Sequence, residues 1–324
     1  MSLGRLLQGL GRILSVPSQS RLLLPLLSPA ELLALRQQAN SASQSLLTQR
    51  DSHHAQLGEF RSPQRGSGMD FDESRPYVPG DDRRFINWRL LARTGEMYLK
   101  LFHEERRSQL FLLLDRRAGM RMGSQGCLKV TQAARLATLV SCLAKKGDMA
   151  VGAAVMNADT HWHRPMSGEK ALHRLIQDYI APAPPLQEAA ESDLQQLLSH
   201  LQGQLPAGSV VVLISDFHEL DKQHEAALWA LVSEHRVIAL VIDDPLEQKL
   251  PEQKGLRFSS SRDGPVTELD GRDEGLSQRY QQAMQQHSDS IQQRLTSLGI
   301  ETHHFSTTDD VFDGAVLQEH LYGQ

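Results

Sequence analysis

Four aspartates sit where apolar runs end. Asp115 closes QLFLLLD (109–115), Asp216 closes SVVVLISD (209–216), and Asp243 with Asp244 closes RVIALVIDD (236–244). Carboxylates at strand ends can hold a divalent cation through oxygen, and such a cation can in turn activate water for hydrolysis. Histidines offer a second kind of chemistry. HELDKQH (218–224) approaches the zinc-protease pattern H-E-x-x-H, but Lys222 stands where the second histidine is required, so the stretch reads as the start of a surface helix. HWH puts His161 and His163 on one face if the segment is a strand, a metal clip lacking a third ligand, and the pairs at 53–54 and 303–304 are weaker signals. The chain carries no G-x-x-x-x-G-K-[ST] loop, no G-x-S-x-G and no G-x-G-x-x-G after a strand. An aspartyl-phosphatase D-x-D starting at Asp115 fails as well, because Arg117 takes the second position. No intact catalytic motif remains, and the reading is of a protein that is not an enzyme.

The elements that must position these aspartates follow from periodicity. Unbroken apolar runs such as 109–115, 149–156, 209–216 and 236–244 have the form of strands buried on both faces. Between them lie stretches with helical spacing: 129–147 ending on Lys-Lys-Gly, EKALHRLIQDYI, ESDLQQLLSHLQ, KQHEAALWALVSE and the polar-faced GLSQRYQQAMQQHSDSIQQRLTSLG. ETHHFST is a last short strand. Strand–helix alternation predicts an α/β fold with a doubly wound, mostly parallel sheet, and sites in such sheets lie at the carboxyl ends of strands. The expected organisation is an N-terminal helical segment (1–44), a smaller module (45–108), the α/β domain (109–310) and a tail (311–324).

The smaller module holds RPYVPGDDRRFINWRLLAR (75–93), which mixes five arginines, two aspartates, a Pro-Gly turn and a tryptophan. Asp81 or Asp82 is the expected N-cap of a helix whose Phe85, Trp88 and Ala92 share a face and which Gly95 ends. Two readings stand for it. In one it is an internal brace, with Trp88 packed on the α/β core and Arg75, Arg84 and Arg93 paired to carboxylates. In the other, Arg75, Tyr77, Asp81, Arg84, Trp88, Arg89 and Arg93 form a docking surface, since Arg and Trp are enriched at binding hot spots. Nucleic-acid binding is disfavoured: Asp70, Asp72, Glu73, Asp81 and Asp82 dilute the basic charge, and the whole chain carries −5.

Together with the residues on its C-terminal side, this segment resembles the signature R-x-Y-x-P-G-D-x-x-R-x-I-x-W-x-x-x-A-R of the bacterial proteins called domain of unknown function 58. The matching residues are Arg75, Tyr77, Pro79, Gly80, Asp81, Arg84, Ile86, Trp88, Ala92 and Arg93. The resemblance runs on through the strand ending at Asp115, LISDF (213–217) and DPLE (244–247), and spans roughly residues 45–310. It implies a domain similar to the von Willebrand factor A fold. It also implies a partnership with a MoxR-type AAA+ ATPase, for which such proteins are thought to act as adaptor or co-chaperone. Clients are not named by it. Many members carry membrane helices upstream; this sequence looks like the short, soluble type.

The same resemblance directs attention to a metal site. Von Willebrand A domains commonly hold Mg²⁺ with D-x-S-x-S, a threonine on a second loop and a later aspartate. Here the first motif reads Asp115-Arg116-Arg117-Ala118-Gly119, and no threonine lies between His161 and Val266. Asp115 and Asp216 survive, while Arg117 and Gly119 stand in the serine positions. Two carboxylates without three hydroxyls make a poor Mg²⁺ site. The implied site is degenerate, so no cofactor is expected and Mg²⁺ is disfavoured. One expectation is that Arg117 or Arg116 pairs with Asp115 or Asp216 in the metal's stead. The other is that both arginines face solvent and the aspartates merely cap turns.

Composition limits the alternatives. A hydrophobic fraction of 40% and a charged fraction of 23% suit a folded domain. Cys127 and Cys142 make no C-x-x-C pair and fit a reducing cytosol. RLLLPLLSPAELLAL is broken by Pro25 and too short for a membrane span. The protein is expected to be cytoplasmic, with a metal-dependent hydrolase acting through Asp115, Asp216, Asp243 and Asp244 as the rival to the adaptor.

Overall fold

The computed structural model describes residues 24–41, 70–78, 84, 86–103, 109–183, 192–259 and 266–312. The chain divides into two compact units, residues 50–107 and the segments before and after them. The first described element, helix α1 (Pro29–Ser41), belongs to the larger unit.

In the smaller unit, β1 (Asp70–Pro76) pairs antiparallel with β2 (Tyr98–His103). Between them lies helix α2 (Trp88–Thr94), only seven residues long and with no buried residue. Its cap differs from expectation. Asn87, not Asp81 or Asp82, is the N-cap, accepting a 3.2 Å bond from the Leu90 N–H. The reason lies one residue earlier: Ile86 is buried and bridged to Leu99 of β2, so the backbone is tied to a strand until Asn87. Gly95 ends the helix as predicted, in the left-handed region (φ 77°), with its N–H on the Leu91 carbonyl. Asp81, Asp82 and Phe85 lie outside the described residues.

The larger unit runs β3 (Gln109–Asp115), a 3₁₀ turn (Ala118–Arg121), α3 (Lys129–Lys146), β4 (Ala150–Met156), β5 (Thr160–Met166), α4 (Glu169–Tyr179), α5 (Leu194–Leu201), β6 (Val210–Ser215) and α6 (Lys222–Glu234). It continues with β7 (Arg236–Asp243), the short α7 (Pro245–Gln248), a hairpin of β8 (Leu256–Ser259) and β9 (Val266–Leu269), α8 (Glu274–Ser297) and β10 (Glu301–Ser306). Six strands make one sheet in the order β10-β7-β6-β3-β4-β5. All neighbours are parallel except β4 and β5. Counting only this sheet's strands along the chain, the order is 3-2-1-4-5-6, that of a doubly wound fold, with the third strand reversed. This is the α/β, von Willebrand A-like architecture read from the sequence.

Burial on both faces explains the uninterrupted apolar runs. Leu110, Leu112 and Leu114 of β3 face a core shared with α1, α3 and α4. Phe111 and Leu113 face the opposite core, closed by α5, α6 and the C-terminal half of α8. Helix α3 is buried almost throughout, because α1 covers it on the side away from the sheet. Arg135 of α3 meets Glu31 of α1 at 2.7 Å, and Gln38 donates to the Val311 carbonyl.

Candidate functional site

The parallel strands deliver their carboxyl ends to one edge of the sheet, and all four strand-end aspartates arrive there. Each is already bonded by the chain itself. Asp115 ends β3 and takes a two-pronged guanidinium, Arg117 Nε to Oδ1 at 3.1 Å and Nη2 to Oδ2 at 2.8 Å. The Arg117 N–H (3.0 Å) and the Ser215 hydroxyl (2.7 Å) complete its shell. Arg117 also reaches Glu219, and it is only 7% exposed. Burial lowers the arginine's proton affinity, but Asp115, then Glu219 and Asp216, more than reverse this.

Arg116 behaves differently. It is fully buried and donates to the carbonyls of Asp178 (2.7 Å), Ala181 and Pro182 (3.3 Å), at the C-terminal end of α4. Carbonyls left without helical partners at a helix end suit a buried cation. Burial, with Arg121 nearby, brings its pKa down to about 10. Neither arginine points to solvent; of the two, Arg117 is the one that pairs with a strand-end aspartate.

The cation at Asp216 is one the sequence did not disclose. Lys129, the first residue of α3, is 1% exposed and places Nζ 2.7 Å from Asp216 Oδ2 and 2.6 Å from Glu247 Oε1. Glu247 is fixed by its second oxygen, which accepts the Asp244 N–H at 3.0 Å in a capping box at α7. His218 adds Nε2 3.3 Å from Glu247 Oε1. Burial raises the carboxyl pKa of Asp216 and of Glu247, yet Lys129 and His218 outweigh it and hold both below the usual range. Burial lowers the affinity of Lys129 for its proton and the two carboxylates raise it, with a net upward shift. Phe217, between Asp216 and His218, has φ 55°, a left-handed conformation unusual for a bulky side chain. Gly119 has a packing reason: a Cβ there would lie 3.2 Å from Asp216 Oδ2.

Asp244 is wholly buried and joins three loops. It accepts from the Ser124 N–H (2.8 Å) and hydroxyl, from the Thr307 hydroxyl (2.7 Å) and from the Leu246 N–H (3.0 Å). Asp243 meets His304 Nδ1 at 2.9 Å. Beside this cluster, a cavity of about 440 Å³ opens between α8 and the strand ends, lined among others by Asp216, His218, Asp243, Glu247, His287 and His304. The rings of His218 and His287 are 5.0 Å apart. For His218, burial lowers the pKa but Asp216 and Glu247 raise it further; for His287, burial and His218 both lower it.

The other histidines fall where the pattern allowed. His161 and His163 share one carboxylate, Asp178, at 3.1 and 2.8 Å, the third group that the sequence left unnamed. HELDKQH opens α6: Asp221 is its N-cap, and buried His224 accepts the Asp221 N–H. In the smaller unit, Arg75 lies in β1, and Tyr77 is half-buried with its N–H on the Met97 carbonyl. Arg84, Arg89 and Arg93 are exposed, and Asp81 lies outside the described residues. Trp88 is 63% exposed, and α2 has no buried residue.

Comparison with known proteins agrees with the signature. Residues 73–290 match the family described as "Protein of unknown function DUF58". Uncharacterized proteins of Mycobacterium tuberculosis and Mycobacterium bovis are 27% identical over 205 residues, which is 63% of this chain and 64% of theirs. The chain thus spans somewhat under two thirds of the length of these relatives. Among solved structures, the conserved hypothetical protein BatB from Bacteroides thetaiotaomicron superposes with a TM-score of 0.39 at 14% identity, covering 59% of this chain and 98% of that one. An aerotolerance-related membrane protein from Bacteroides fragilis gives 0.38 at 16% identity, covering 59% and 99%. Superpositions this loose carry no functional argument. Among the described residues, no helix is long and apolar enough to cross a membrane.

Proposed function

The chain belongs to the DUF58 family, and on that premise we propose that it is a non-enzymatic adaptor or co-chaperone for a MoxR-type AAA+ ATPase. It binds protein partners through its von Willebrand A-like domain and works in the cytoplasm, without a membrane span and without nucleic acid.

The observation that supports this reading is the state of the two metal-site aspartates. Asp115 is held by Arg117 and Asp216 by Lys129, both cations buried and both at hydrogen-bond distance. A side-chain cation at each carboxylate supplies positive charge that Mg²⁺ would otherwise bring, and Arg117 engages both oxygens of Asp115. Charge at these two strand ends is balanced without Mg²⁺, which suits a binding domain better than a hydrolase. Unpaired Cys127 and Cys142 fit a reducing compartment. For the docking surface, exposed Trp88, Arg84, Arg89 and Arg93 in the family signature have the residue types of binding anchors.

The test is co-purification with the MoxR-type ATPase of the same organism, in ADP and in a non-hydrolysable ATP analogue. Wild type is run beside Arg84→Glu and Arg89→Glu, each first shown to be folded. Nucleotide-dependent capture lost in a folded variant is the expected result. Absence of capture in every nucleotide state, with divalent-dependent phosphoester turnover abolished by Asp216→Asn, would replace the adaptor by the hydrolase.

A further inference from the structure

The adaptor reading leaves the imidazoles of the strand-end cavity without a task. His218, His287 and His304 line it together with the carboxylates of Asp216, Asp243 and Glu247. Lys129 is not part of that lining; it is fully buried and bonded to two of the three carboxylates. With neutral imidazoles, three carboxylates and one ammonium leave the cavity a formal charge of −2. The rings of His218 and His287 are 5.0 Å apart, and both line the cavity with these carboxylates. One divalent cation cancels the same charge and turns the imidazoles into ligands.

We propose that this cavity binds a transition-metal dication of the Zn²⁺ class through Asp216, His218 and Glu247, with His287 of α8 as fourth donor. The donor atoms of the first three lie within 4.8 Å of one another. His218 Nε2 and Glu247 Oε1 are 3.3 Å apart. Tetrahedral zinc with bonds of about 2.0–2.1 Å has ligand–ligand edges of roughly 3.3–3.4 Å, so this edge already has the required length. Two imidazoles with two carboxylates favour zinc, nickel or cobalt over magnesium, which wants six oxygens. Lys129 then takes the outer position common in metal sites, fixing both ligating carboxylates by hydrogen bonds. The site is distinct from the Asp115 pair: Asp115 and Arg117 are not among the residues lining the cavity.

The experiment is calorimetric titration of Zn²⁺ into the full chain, stripped by a chelator, at about pH 7.5, where imidazole is free to ligate. One equivalent is expected to bind with micromolar or tighter affinity, and Mg²⁺ is expected to give no such isotherm. His287→Ala, a half-buried helix position that does not threaten the fold, should weaken binding at least tenfold, and His218→Ala should do the same. Co²⁺ in place of Zn²⁺ should give visible absorption bands that His287→Ala shifts or abolishes. The double variant His161→Ala/His163→Ala, at the separate Asp178 cluster, should leave affinity unchanged. Lack of a stoichiometric Zn²⁺ site overturns the proposal. So does binding that survives His287→Ala or that is lost only in the His161/His163 variant. ATPase capture is a separate readout, so either reading can fail while the other stands.

Discussion

Replacing Lys129 by Met removes one positive charge from between two buried carboxylates while keeping most of the side-chain volume. Asp216 and Glu247 are 8% and 7% exposed, and the ammonium lies within 2.7 Å of both. Breaking a buried ion pair by deleting one partner costs about 3–5 kcal/mol, because the partner left behind is charged and dry. In a domain of roughly 150–250 residues, each kcal/mol moves the melting temperature by about 2–4 °C, so Lys129→Met should melt about 6–20 °C below wild type. The pH dependence should reverse. In wild type both carboxyls are depressed, so their contribution is complete above the unfolded carboxylate pKa and is lost as pH falls through the folded values. In Lys129→Met the crowded carboxylates gain proton affinity; their burden is greatest at neutral pH and shrinks on acidification. Urea unfolding at about pH 7 and about pH 5 reads both effects, and the gap to wild type should narrow at the lower pH. Millimolar Mg²⁺ should stabilise the variant more than wild type, since a vacated cation position is what a metal would fill. A loss below about 1 kcal/mol, or a gap that widens on acidification, would refute the argument that Lys129 neutralises this pair.

Other parts of the fold give further expected outcomes. Asp244→Ala strands the donors of Ser124, Leu246 and Thr307 and should cost about 3 kcal/mol or more in urea unfolding. Asn87→Ala should cost about 1 kcal/mol and speed amide exchange across α2, and Asn87→Asp should restore most of it. His235 is 2% exposed and burial lowers its pKa, so its neutral form is favoured in the fold; its contribution is complete above about pH 6.5 and declines below it. His235→Leu should therefore flatten the fall of the urea midpoint between about pH 7 and pH 5.5. Titration with Mg²⁺ should show no micromolar site at Asp115, because Arg117 saturates both of its oxygens.

Legibility in the sequence followed physical cause. Strands β3, β6 and β7 could be read within a residue or two because burial on both faces demands unbroken apolar runs. Strand β5 could not, since its exposed outer edge leaves THWHRPM without a period. Asp115, Asp216, Asp243 and Asp244 were recognisable as strand ends, and so was the candidate pairing of Arg117. Lys129 was hidden for a general reason: lysine is ordinarily exposed, and as the first residue of α3 it looks like any solvated helix start. Glu247 was visible only as part of DPLE; that a capping glutamate turns its other oxygen inward depends on tertiary contact. His287 sits in a polar helix whose pattern gives no sign that the cavity lies beneath it.

Helix α1 has a consequence for biosynthesis. It packs on α3, yet its last residue is Ser41 and the first of α3 is Lys129, 88 positions later. The whole 50–107 unit is synthesised in that interval. At about 5–20 residues per second, α1 waits roughly 4–18 s for the surface that will bury Leu35 and Ala39. Throughout that time its apolar stripe is available to whatever chaperone meets the nascent chain, while the smaller unit has every opportunity to form first.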